Sequence, residues 1–501
     1  MKFVCPPTDA QYLERIYQTQ IQDDNLPYLD GVLAQSFFGD LAAQAPHLRD
    51  FLMTQVLPLL AGPLPLEEKR RIIANVAASA LAAGYTSTFT HHDVRVIQRN
   101  LADFIQAVNQ STSERTVVFV AGSPYFLILR EAMYLRRNGW RCFLVSLSVV
   151  PDRLKALFEA NFEAIADTRR SLRLMRSLLA RLHPDIFHVQ CWMWLYSIGR
   201  MTLEARGKSK VVCEFYDITS TYAERDVLCQ GFKPATVDFD LYMEKFILHH
   251  ADAVITRFPQ SAIEEWAERH GASPLHLAMQ SWPCSEFAGR PTRDKPSRKD
   301  GIFRLVYAGG LVPVDDHHPP VLFPEAGMPD GFRTLLEQGI AIDIFHVPHG
   351  DPTDESNSPF AKYYELQRQF PSFRLRNGVP PHQFAETMAP YDFGILLFNY
   401  HPDARVRESQ RKGVMATKLF SYIEAGIPAL VNAEYEAMAG FLEQHGIGMG
   451  IGSADLPRLR DILKAYDYDQ ALENIRIFQE KYSMEKEILQ LIKLYNQLID
   501  S

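Results

Sequence analysis

The chain has 501 residues, and at roughly 150 residues per domain this length predicts about three domains. Hydrophobic residues make up 47% and charged residues 22%, a composition that excludes a disordered or fibrous protein and provides for a large core. The formal net charge of −8 argues against a dedicated nucleic-acid-binding protein, because such proteins are usually basic.

The first part of the chain predicts helices only. Residues 1–112 contain LPYLDGVLAQSFFGDLAAQ, EEKRRIIANVAASALAAG and HDVRVIQRNLADFIQAVNQ, in which apolar residues recur at helical spacing. No β-branched run that would predict a strand separates these segments. Residues 1–112 are therefore expected to form a helical N-terminal extension.

From residue 113 the pattern changes to strands alternating with helices. TVVFVAG, RCFLVSLSVV, PDIFHVQ, KVVCEFYD and ADAVITRF are short apolar runs, each next to a helical stretch. Such all-apolar strands are typical of a parallel sheet that is covered on both faces. Residues 113–290 are therefore predicted to form one Rossmann-like domain.

A second domain of the same kind is predicted after a charged run at residues 290–300, RPTRDKPSRKD, which has the composition of a linker. Strands FRLVYAGGL, IAIDIFHVPHG, PSFRLRNGV, DFGILLF and IPALVN then alternate with helices over residues 301–465. One long amphipathic helix, residues 472–498 within the segment 466–501, is predicted to close the chain and pack across both domains. The fold class is α/β, with two Rossmann-like domains.

Cysteine usage and the N-terminus indicate a cytoplasmic location. Six cysteines are spread along the chain without a C-x-x-C pair, so neither a zinc ribbon nor a disulfide framework is predicted. The N-terminus has prolines and acids where a signal peptide needs an unbroken apolar run. The apolar run at residues 51–66 contains three prolines and is too short to cross a bilayer. Association with a membrane surface stays open.

The most informative segment is residues 402–428, PDARVRESQRKGVMATKLFSYIEAGIP. Its first part is basic, with Arg411 and Lys412 followed by Gly413, and it leads into a helix. Helix N-termini bind phosphate through free N–H groups and the positive end of the helix dipole, so this loop is suited to a diphosphate. Thr417 and Lys418 add a hydroxyl and an ammonium group in the first turn. The alternative is a solvated basic loop, and spacing alone does not separate the two.

The string KLFSYIEAGIPALV resembles the "K-L-F-E-Y-x-A-A-G-x-P-V-V" signature of retaining, nucleotide-sugar-dependent glycosyltransferases of the GT-B fold. That group is related to glycogen synthase and to bacterial polysaccharide-assembly enzymes. FRLVYAGGL and FRLRNGVPPHQFAETMAPYDFGILLF resemble further segments of the family's donor domain, and the likeness covers roughly residues 116–452. The resemblance implies two Rossmann-like domains that face a cleft, an acceptor-side domain at residues 113–290 and a nucleotide-sugar-binding domain at residues 301–465.

The resemblance also implies roles for donor-site residues. Gly309 and Gly310 would let the backbone approach the diphosphate, while Lys418 and Arg411, with Lys412 and Thr417, would neutralise it. The nucleobase would lie against the pair Gly378 and Val379.

Two family glutamates are missing from this sequence. The one that holds the donor ribose aligns with Ser421, and a second, eight residues upstream, aligns with Gly413. Glu424 lies close to one helical turn after Ser421, so it is a candidate to replace the missing carboxylate.

On the acceptor side the catalytic candidates are Tyr216, Asp217 and His188. The family often has a histidine where counting along KVVCEFYD places Tyr216, so a histidine role is not implied there. His188 in PDIFHVQ matches a common histidine of the preceding strand, although a packed strand residue is the more frequent role. Gly122 and Ser123, in the turn after the first strand of this domain, are the candidates for contact with the acceptor.

No metal site is predicted. Asp238 and Asp240 form a D-x-D, but they are expected to cap the helix that they open. The adjacent residues 315–318, DDHH, are unsuited to converge on one ion, and His346 and His349 lack a third ligand.

These observations predict a metal-independent, retaining transferase that moves a hexose-type sugar from a nucleotide diphosphate donor to an acceptor. No cofactor is expected beyond that substrate. The acceptor, whether a glycan, a lipid-linked molecule or a protein, and the oligomeric state stay open. A binding or scaffold protein that has lost turnover, and a nucleotide-sugar epimerase of the same fold, are the alternatives.

Overall fold

The computed structural model describes residues 7–21, 55–56, 65, 68, 71–72, 75–76, 91–110, 112–168, 172–312, 322–346, 360–397 and 405–501. The chain divides into two compact units. One comprises Thr8–Cys213 with His250–Asp252, and the other includes Glu214–His249 and Ala253–Ser501.

Strands alternate with helices along the described chain. The strands are β1 (Arg115–Ala121), β2 (Trp140–Ser146), β3 (Ala164–Asp167), β4 (Ile186–Cys191), β5 (Lys210–Phe215), β6 (Ala253–Thr256), β7 (Leu275–Ala278), β8 (Arg304–Ala308), β9 (Ala341–His346), β10 (Phe373–Asn377), β11 (Phe393–Leu396), β12 (Ala429–Asn432) and β13 (Gly448–Ile451).

The helices that precede or belong to the first sheet are α1 (Ala10–Ile21), α2 (His91–Asn109), α3 (Phe126–Arg137), α4 (Asp152–Asn161), α5 (Leu172–Leu179), α6 (Ser197–Ala205), α7 (Thr219–Tyr222), α8 (Arg225–Leu228), α9 (Pro234–His250) and α10 (Gln260–Arg269). Those that follow are α11 (Ser297–Asp300), α12 (Met328–Glu337), α13 (Ala361–Gln369), α14 (Pro381–Met388), α15 (Glu408–Gly413), α16 (Thr417–Glu424), α17 (Glu436–His445), α18 (Leu459–Ala465), α19 (Tyr468–Lys481) and α20 (Met484–Ile499).

The strands form two parallel sheets with the same internal order. The first sheet is β3-β2-β1-β4-β5-β6-β7 and the second is β10-β9-β8-β11-β12-β13. The first six strands of each follow the order 3-2-1-4-5-6, which is that of a doubly wound Rossmann sheet. The prediction of two Rossmann-like sheets in tandem is confirmed.

The apolar strand runs form the cores of these sheets. Every residue of β2 and β4 is buried, as is all of β1 after its first residue. Helices on both faces leave such strands no solvated side, which explains their near-continuous apolar sequences. At the edge of the second sheet, β10 has one buried residue, Phe373, and three exposed residues, Arg374, Arg376 and Asn377.

Within the predicted N-terminal extension, the described parts of residues 1–112 include the two helices α1 and α2. Tyr17 of α1 is fully buried, and its hydroxyl donates to Glu204 Oε2 of α6 at 2.7 Å. The Arg200 guanidinium lies 4.0 Å from the centre of the Tyr17 ring and pairs with Glu14 Oε2 at 2.7 Å. Helix α1 is therefore tied to α6 by a partly buried polar network. Most of the other two predicted helical segments lie outside the described residues.

The charged run at residues 290–300 is ordered against the second sheet rather than extended. Lys295 is 1% exposed and its Nζ donates to the Ala389 carbonyl at 2.6 Å. Ser297 Oγ donates to Asp392 Oδ1 at 2.5 Å. Burial lowers the pKa of Lys295 to about 8. Residues 290–300 therefore have the composition of a linker but pack like part of a domain.

The prediction of one long C-terminal helix is wrong. Two helices, α19 and α20, are separated by Tyr482 and Ser483, which have extended backbone conformations. The N–H of Met484 donates to the Pro283 carbonyl at 2.9 Å, so the chain turns where it meets the segment after β7. Packing of this region across both domains stays a prediction. Among the described residues, no helix has the length and apolar character required to cross a membrane.

Candidate functional site

The candidate site lies at the carboxyl end of β8, beside β11, where the strand order of the second sheet reverses. Ligands of doubly wound sheets bind at this point because the loops diverge there. Strands β8 and β11 pair through only two residue pairs, Phe393 with Leu305 and Gly394 with Val306. The Tyr422 hydroxyl lies between the strands: it accepts from the N–H of Ala308 at 2.9 Å. It also donates to the carbonyl of Ile395 at 3.3 Å.

Gly394 makes room for this tyrosine. A Cβ on Gly394 would lie 2.2 Å from the Tyr422 ring, so only glycine fits. Tyr422 is fully buried, and its hydroxyl takes the place of further ladder hydrogen bonds between the two strands. The tyrosine of the KLFSYIEAG string therefore has a structural role: it holds the ends of the central strands apart.

Lys418 and Gly309, predicted separately, are brought together. Lys418 is in the first turn of α16, and a Cβ on Gly309 would lie 2.0 Å from its Cε. The side chain therefore lies across the Gly309 backbone, with Nζ 5.5 Å from the centre of the Tyr307 ring. The N-cap residue of α16 is Ala416, which has no side chain able to cap the helix. The ammonium group of Lys418 and the N-terminus of α16 therefore lie close together at the end of β8.

Arg257, which the sequence analysis missed, adds a second cation. Its Nη1 donates to Thr417 Oγ1 at 3.0 Å and its Nη2 to the Tyr216 carbonyl at 2.9 Å. The guanidinium carbon lies 4.4 Å from the centre of the Tyr216 ring, and Arg257 is 9% exposed. Its position directly after β6 is a signal that could have identified it, because chemistry in such sheets follows the strand ends.

Acidic groups lie near these cations. Glu325, in a short 3₁₀ turn at Pro324–Gly327, carries a raised pKa because it is buried and because Asp217 is close, whereas Lys418 opposes the shift. Burial also raises the pKa of Tyr222 well above its usual value, with Glu325 the first charged contributor. Asp217, predicted at the end of β5, therefore lies in the same electrostatic environment as Lys418.

The basic loop differs from its prediction. Residues 408–413 form the short helix α15 rather than a glycine loop, and three extended residues separate it from α16. Lys412 is exposed and pairs with Glu408, which raises the Lys412 pKa. Arg407 pairs with Glu224 at 2.6 Å. These ion pairs agree with the alternative of a solvated basic segment for the first half of the loop.

Gly413 does not provide an approach to phosphate. A Cβ there would lie 2.9 Å from the Phe258 ring, so the glycine is needed for packing against the segment after β6. Arg411 lies one turn into α15, where its N–H donates to the Arg407 carbonyl at 3.1 Å. The structure places Arg411 on a different helix from Lys418, and its predicted catalytic role stays a prediction.

Glu424 does not fit the predicted ribose contact. It is 2% exposed, and its Oε2 accepts from the N–H of Cys284 at 2.7 Å. Gly426, two residues on, has a φ of +79°, and a Cβ there would lie 2.9 Å from the Pro291 nitrogen. Both residues hold the segment that leads from β7 into the linker. Ser421 donates to the Thr417 carbonyl of its own helix at 3.3 Å.

Gly310, Gly378 and Val379 lie at strand ends, as predicted. Gly310 is exposed, follows Gly309, and its carbonyl accepts from the Tyr307 hydroxyl at 2.8 Å. Gly378 follows β10, where its N–H donates to the His346 carbonyl at 2.8 Å, and Val379 is half-buried. Their predicted contacts with a donor remain untested.

Two acceptor-side predictions are corrected by burial. The Tyr216 hydroxyl is not directed to a ligand: the residue is 2% exposed and the hydroxyl donates to Glu214 Oε2 at 2.9 Å. His188 is third of six residues in β4, fully buried, stacked on Phe119 and 3.7 Å from the Glu131 carboxylate. It is a core residue rather than a strand-end residue.

Gly122 and Ser123 do follow β1. A Cβ on Gly122 would lie 2.6 Å from Leu195 Cδ1, so this glycine admits the turn after β4, whereas Ser123 is exposed. An acceptor contact is therefore left to Ser123 alone of this pair, and it stays a prediction.

The D-x-D residues are helical residues rather than caps, which corrects the capping prediction. Helix α9 begins at Pro234, four residues before Asp238. Asp238 pairs with Arg225 at 2.5 Å, and Asp240 accepts from the Thr219 hydroxyl. Both carboxylates are thus engaged in anchoring α7 and α8. His346 ends β9, while residues 315–318 and His349 lie outside the described residues.

A polar cavity of about 860 Å³ is formed by the linker and α19. Its lining mixes arginines and carboxylates, among them Arg293, Asp469, Glu473 and Arg476. Several of these form ion pairs with one another, including Arg476 with Glu473 at 2.6 Å. The cavity is lined by none of the strand-end residues above, so it is not taken as the site.

No protein-family model and no curated protein matches the chain. Solved structures do resemble it. A Thermobaculum terrenum O-GlcNAc transferase mutant is 11% identical, with 84% of this chain and 76% of that chain covered and a TM-score of 0.46. Anabaena HepE in complex with UDP is 12% identical, over 76% and 100% of the two chains, with a TM-score of 0.49. The trehalose 6-phosphate synthase of Burkholderia multivorans is 9% identical, over 77% and 99%, with a TM-score of 0.47. Likenesses at this level carry no argument about activity.

Proposed function

We propose that the protein is a glycosyltransferase that binds a nucleoside diphosphate sugar and transfers its sugar to an acceptor with retention of configuration. The observation that carries this proposal is the position of Lys418 across Gly309, at the N-terminus of α16 and at the switch point of the second sheet. The likeness of KLFSYIEAGIPALV to the family signature supports the same reaction class.

The chemistry follows from the charges at this place. In glycosyl transfer the bond between the sugar and the diphosphate breaks, and negative charge develops on the leaving phosphate. Preorganised cations and helix N–H groups lower the free energy of that transition state. Lys418 supplies one cation, and Arg257, held by Thr417 and by the Tyr216 carbonyl, supplies another of fixed orientation.

The remaining parts of the proposal rest on the same residues. Because fixed cations can stabilise the leaving group, the reaction is proposed to need no divalent metal. A hexose is the proposed sugar, and the cytoplasm, with or without contact to a membrane surface, is the proposed location. The acceptor is proposed to be a glycan, a lipid-linked molecule or a protein.

The test is binding of UDP, GDP and ADP, measured by isothermal titration calorimetry, to the wild type and to Lys418→Ala. Loss of a hydrogen bond between charged groups should make the free energy of binding of the preferred diphosphate less favourable by about 1.5–3 kcal/mol. Lys464→Ala is the matched control, because Lys464 is an exposed lysine that pairs with Asp461 at 3.1 Å. Equal affinity in the wild type and Lys418→Ala would contradict the proposed diphosphate site.

A binding protein without turnover is the second candidate. The observation that favours it is that the carboxylate nearest the missing family position, Glu424, is buried against Cys284. Incubation with UDP-glucose, GDP-mannose or ADP-glucose separates the two functions, since an enzyme releases the nucleoside diphosphate by hydrolysis or transfer. Binding of a nucleotide sugar that stays intact would favour the binding protein.

A further inference from the structure

One carboxyl oxygen of Glu325, Oε2, lacks a hydrogen-bond donor. This oxygen is inaccessible to solvent, and none of the described residues donates to it. A buried polar atom without a partner destabilises the unliganded protein, and such atoms are rare in native structures. An oxygen of this kind therefore requires an explanation.

The surroundings of Glu325 are those of the candidate site. Lys418 and Asp217 are the charged side chains that act on its carboxyl group, one favouring and one opposing ionisation. The Tyr222 hydroxyl donates to the carbonyl of Leu322, three residues before Glu325, at 2.6 Å. Glu325 raises the pKa values of Tyr222 and Tyr307. Glu325 forms no ion pair with Lys418, so the two groups are near each other without neutralising each other directly.

We propose that Glu325 binds a hydroxyl group of the donor sugar, a role that rests on the proposed glycosyltransferase function. A sugar hydroxyl donates a hydrogen bond to a carboxyl oxygen and would give Oε2 the partner that it lacks. The position suits the sugar rather than the nucleoside, because the nucleobase is proposed to lie against Gly378 and Val379 after β10, whereas Glu325 lies near Asp217, at the end of β5 on the proposed acceptor side.

The structure also separates this role from a structural one. A glutamate kept for stability would be paired, as Glu424 is with the N–H of Cys284. Removal of Glu325 breaks no hydrogen bond to Oε2 among the described residues. Glu325→Ala is therefore expected to melt at or above the temperature of the wild type.

The experiment compares two affinities in each variant: that for UDP, GDP or ADP, and that for the matching UDP-glucose, GDP-mannose or ADP-glucose. Glu325→Ala should weaken binding of the nucleotide sugar by about ten- to hundredfold and leave the affinity for the nucleoside diphosphate unchanged. Glu325→Gln, which keeps one acceptor oxygen, should restore part of the loss. Lys418→Ala should lower the affinity for both ligands. Glu337→Ala, which alters an exposed glutamate of α12, should lower neither affinity.

Equal losses for both ligands, or no loss for either, in Glu325→Ala would overturn the sugar contact while leaving the diphosphate site intact. If the wild type binds none of these nucleotides, the proposed function and the sugar contact are both wrong. The two failures are thus distinguishable from measurements on the full chain.

Discussion

Gly309→Ala tests the geometry at Lys418 without removing a charge. The added Cβ would lie 2.0 Å from Lys418 Cε, whereas ordinary contacts between carbon atoms begin at 3.4 Å. The lysine must therefore retreat by at least about 1.4 Å. A hydrogen bond of about 2.8 Å between its ammonium group and a phosphate does not survive such a displacement.

The expected loss can be compared directly with that of the lysine itself. Gly309→Ala should weaken diphosphate binding by the same 1.5–3 kcal/mol, approximately, as Lys418→Ala. The double variant should lose no more than either single variant, so the coupling energy in a double-mutant cycle should equal the single loss. Calorimetric titration of all four proteins with the preferred diphosphate measures each term.

A glycine outside the candidate site provides the control. A Cβ on Gly440, in α17, would meet nothing within 4 Å, so Gly440→Ala should bind like the wild type. The backbone of Gly309 has a φ of +156°, so Gly309→Ala also carries strain, which thermal melting measures separately from binding. If Gly309→Ala binds the diphosphate as tightly as the wild type, or if the losses add in the double variant, the placement of the Lys418 side chain across the Gly309 backbone is refuted.

Three further outcomes are expected. Tyr422→Phe should lower the free energy of unfolding by about 1–3 kcal/mol, because the partly buried N–H of Ala308 loses its acceptor. Urea unfolding measures this loss, and an unchanged midpoint would contradict the role of the Tyr422 hydroxyl between β8 and β11. Burial lowers the pKa of Lys295 to about 8. The folded state therefore releases its proton before the unfolded state does, and stability should rise between pH 8 and about 10.5, by at most about 3 kcal/mol. Lys295→Met should remove that part of the rise, whereas parallel pH profiles for the two proteins would show that Lys295 does not titrate as described. Turnover of a nucleotide sugar should survive excess EDTA; activity lost with chelator and restored by Mn²⁺ or Mg²⁺ would show that the fixed cations alone do not suffice.

The sheets could be predicted because their signal is local. An all-apolar run such as TVVFVAG has no solvated face, so it must be covered on both sides wherever the chain places it. The C-terminal helix was predicted too long because its break is not local. Residues 482–483 carry no glycine or proline, and the turn occurs where Met484 meets the Pro283 carbonyl.

The roles within the KLFSYIEAG string could be predicted only in part. Its lysine is placed at the site as expected, because a helix N-terminus after a strand is a local feature. Two of its other polar residues have partners distant in sequence: Tyr422 contacts Ala308, 114 residues away, and Glu424 contacts Cys284, 140 residues away. Periodicity gives no information about such contacts.

The sequence by itself determined the two Rossmann-like sheets and the strand-end position of the lysine and glycine of the proposed diphosphate site. Only the tertiary structure decided which charges remain available there. In the folded chain Lys412 pairs with Glu408, and Arg407 pairs with Glu224. Arg257 donates to Thr417, which is 160 residues away in the sequence. The physical reason is that strand and helix patterns depend on neighbours a few residues apart, whereas the burial and pairing of a charge depend on whichever segments the fold places against it.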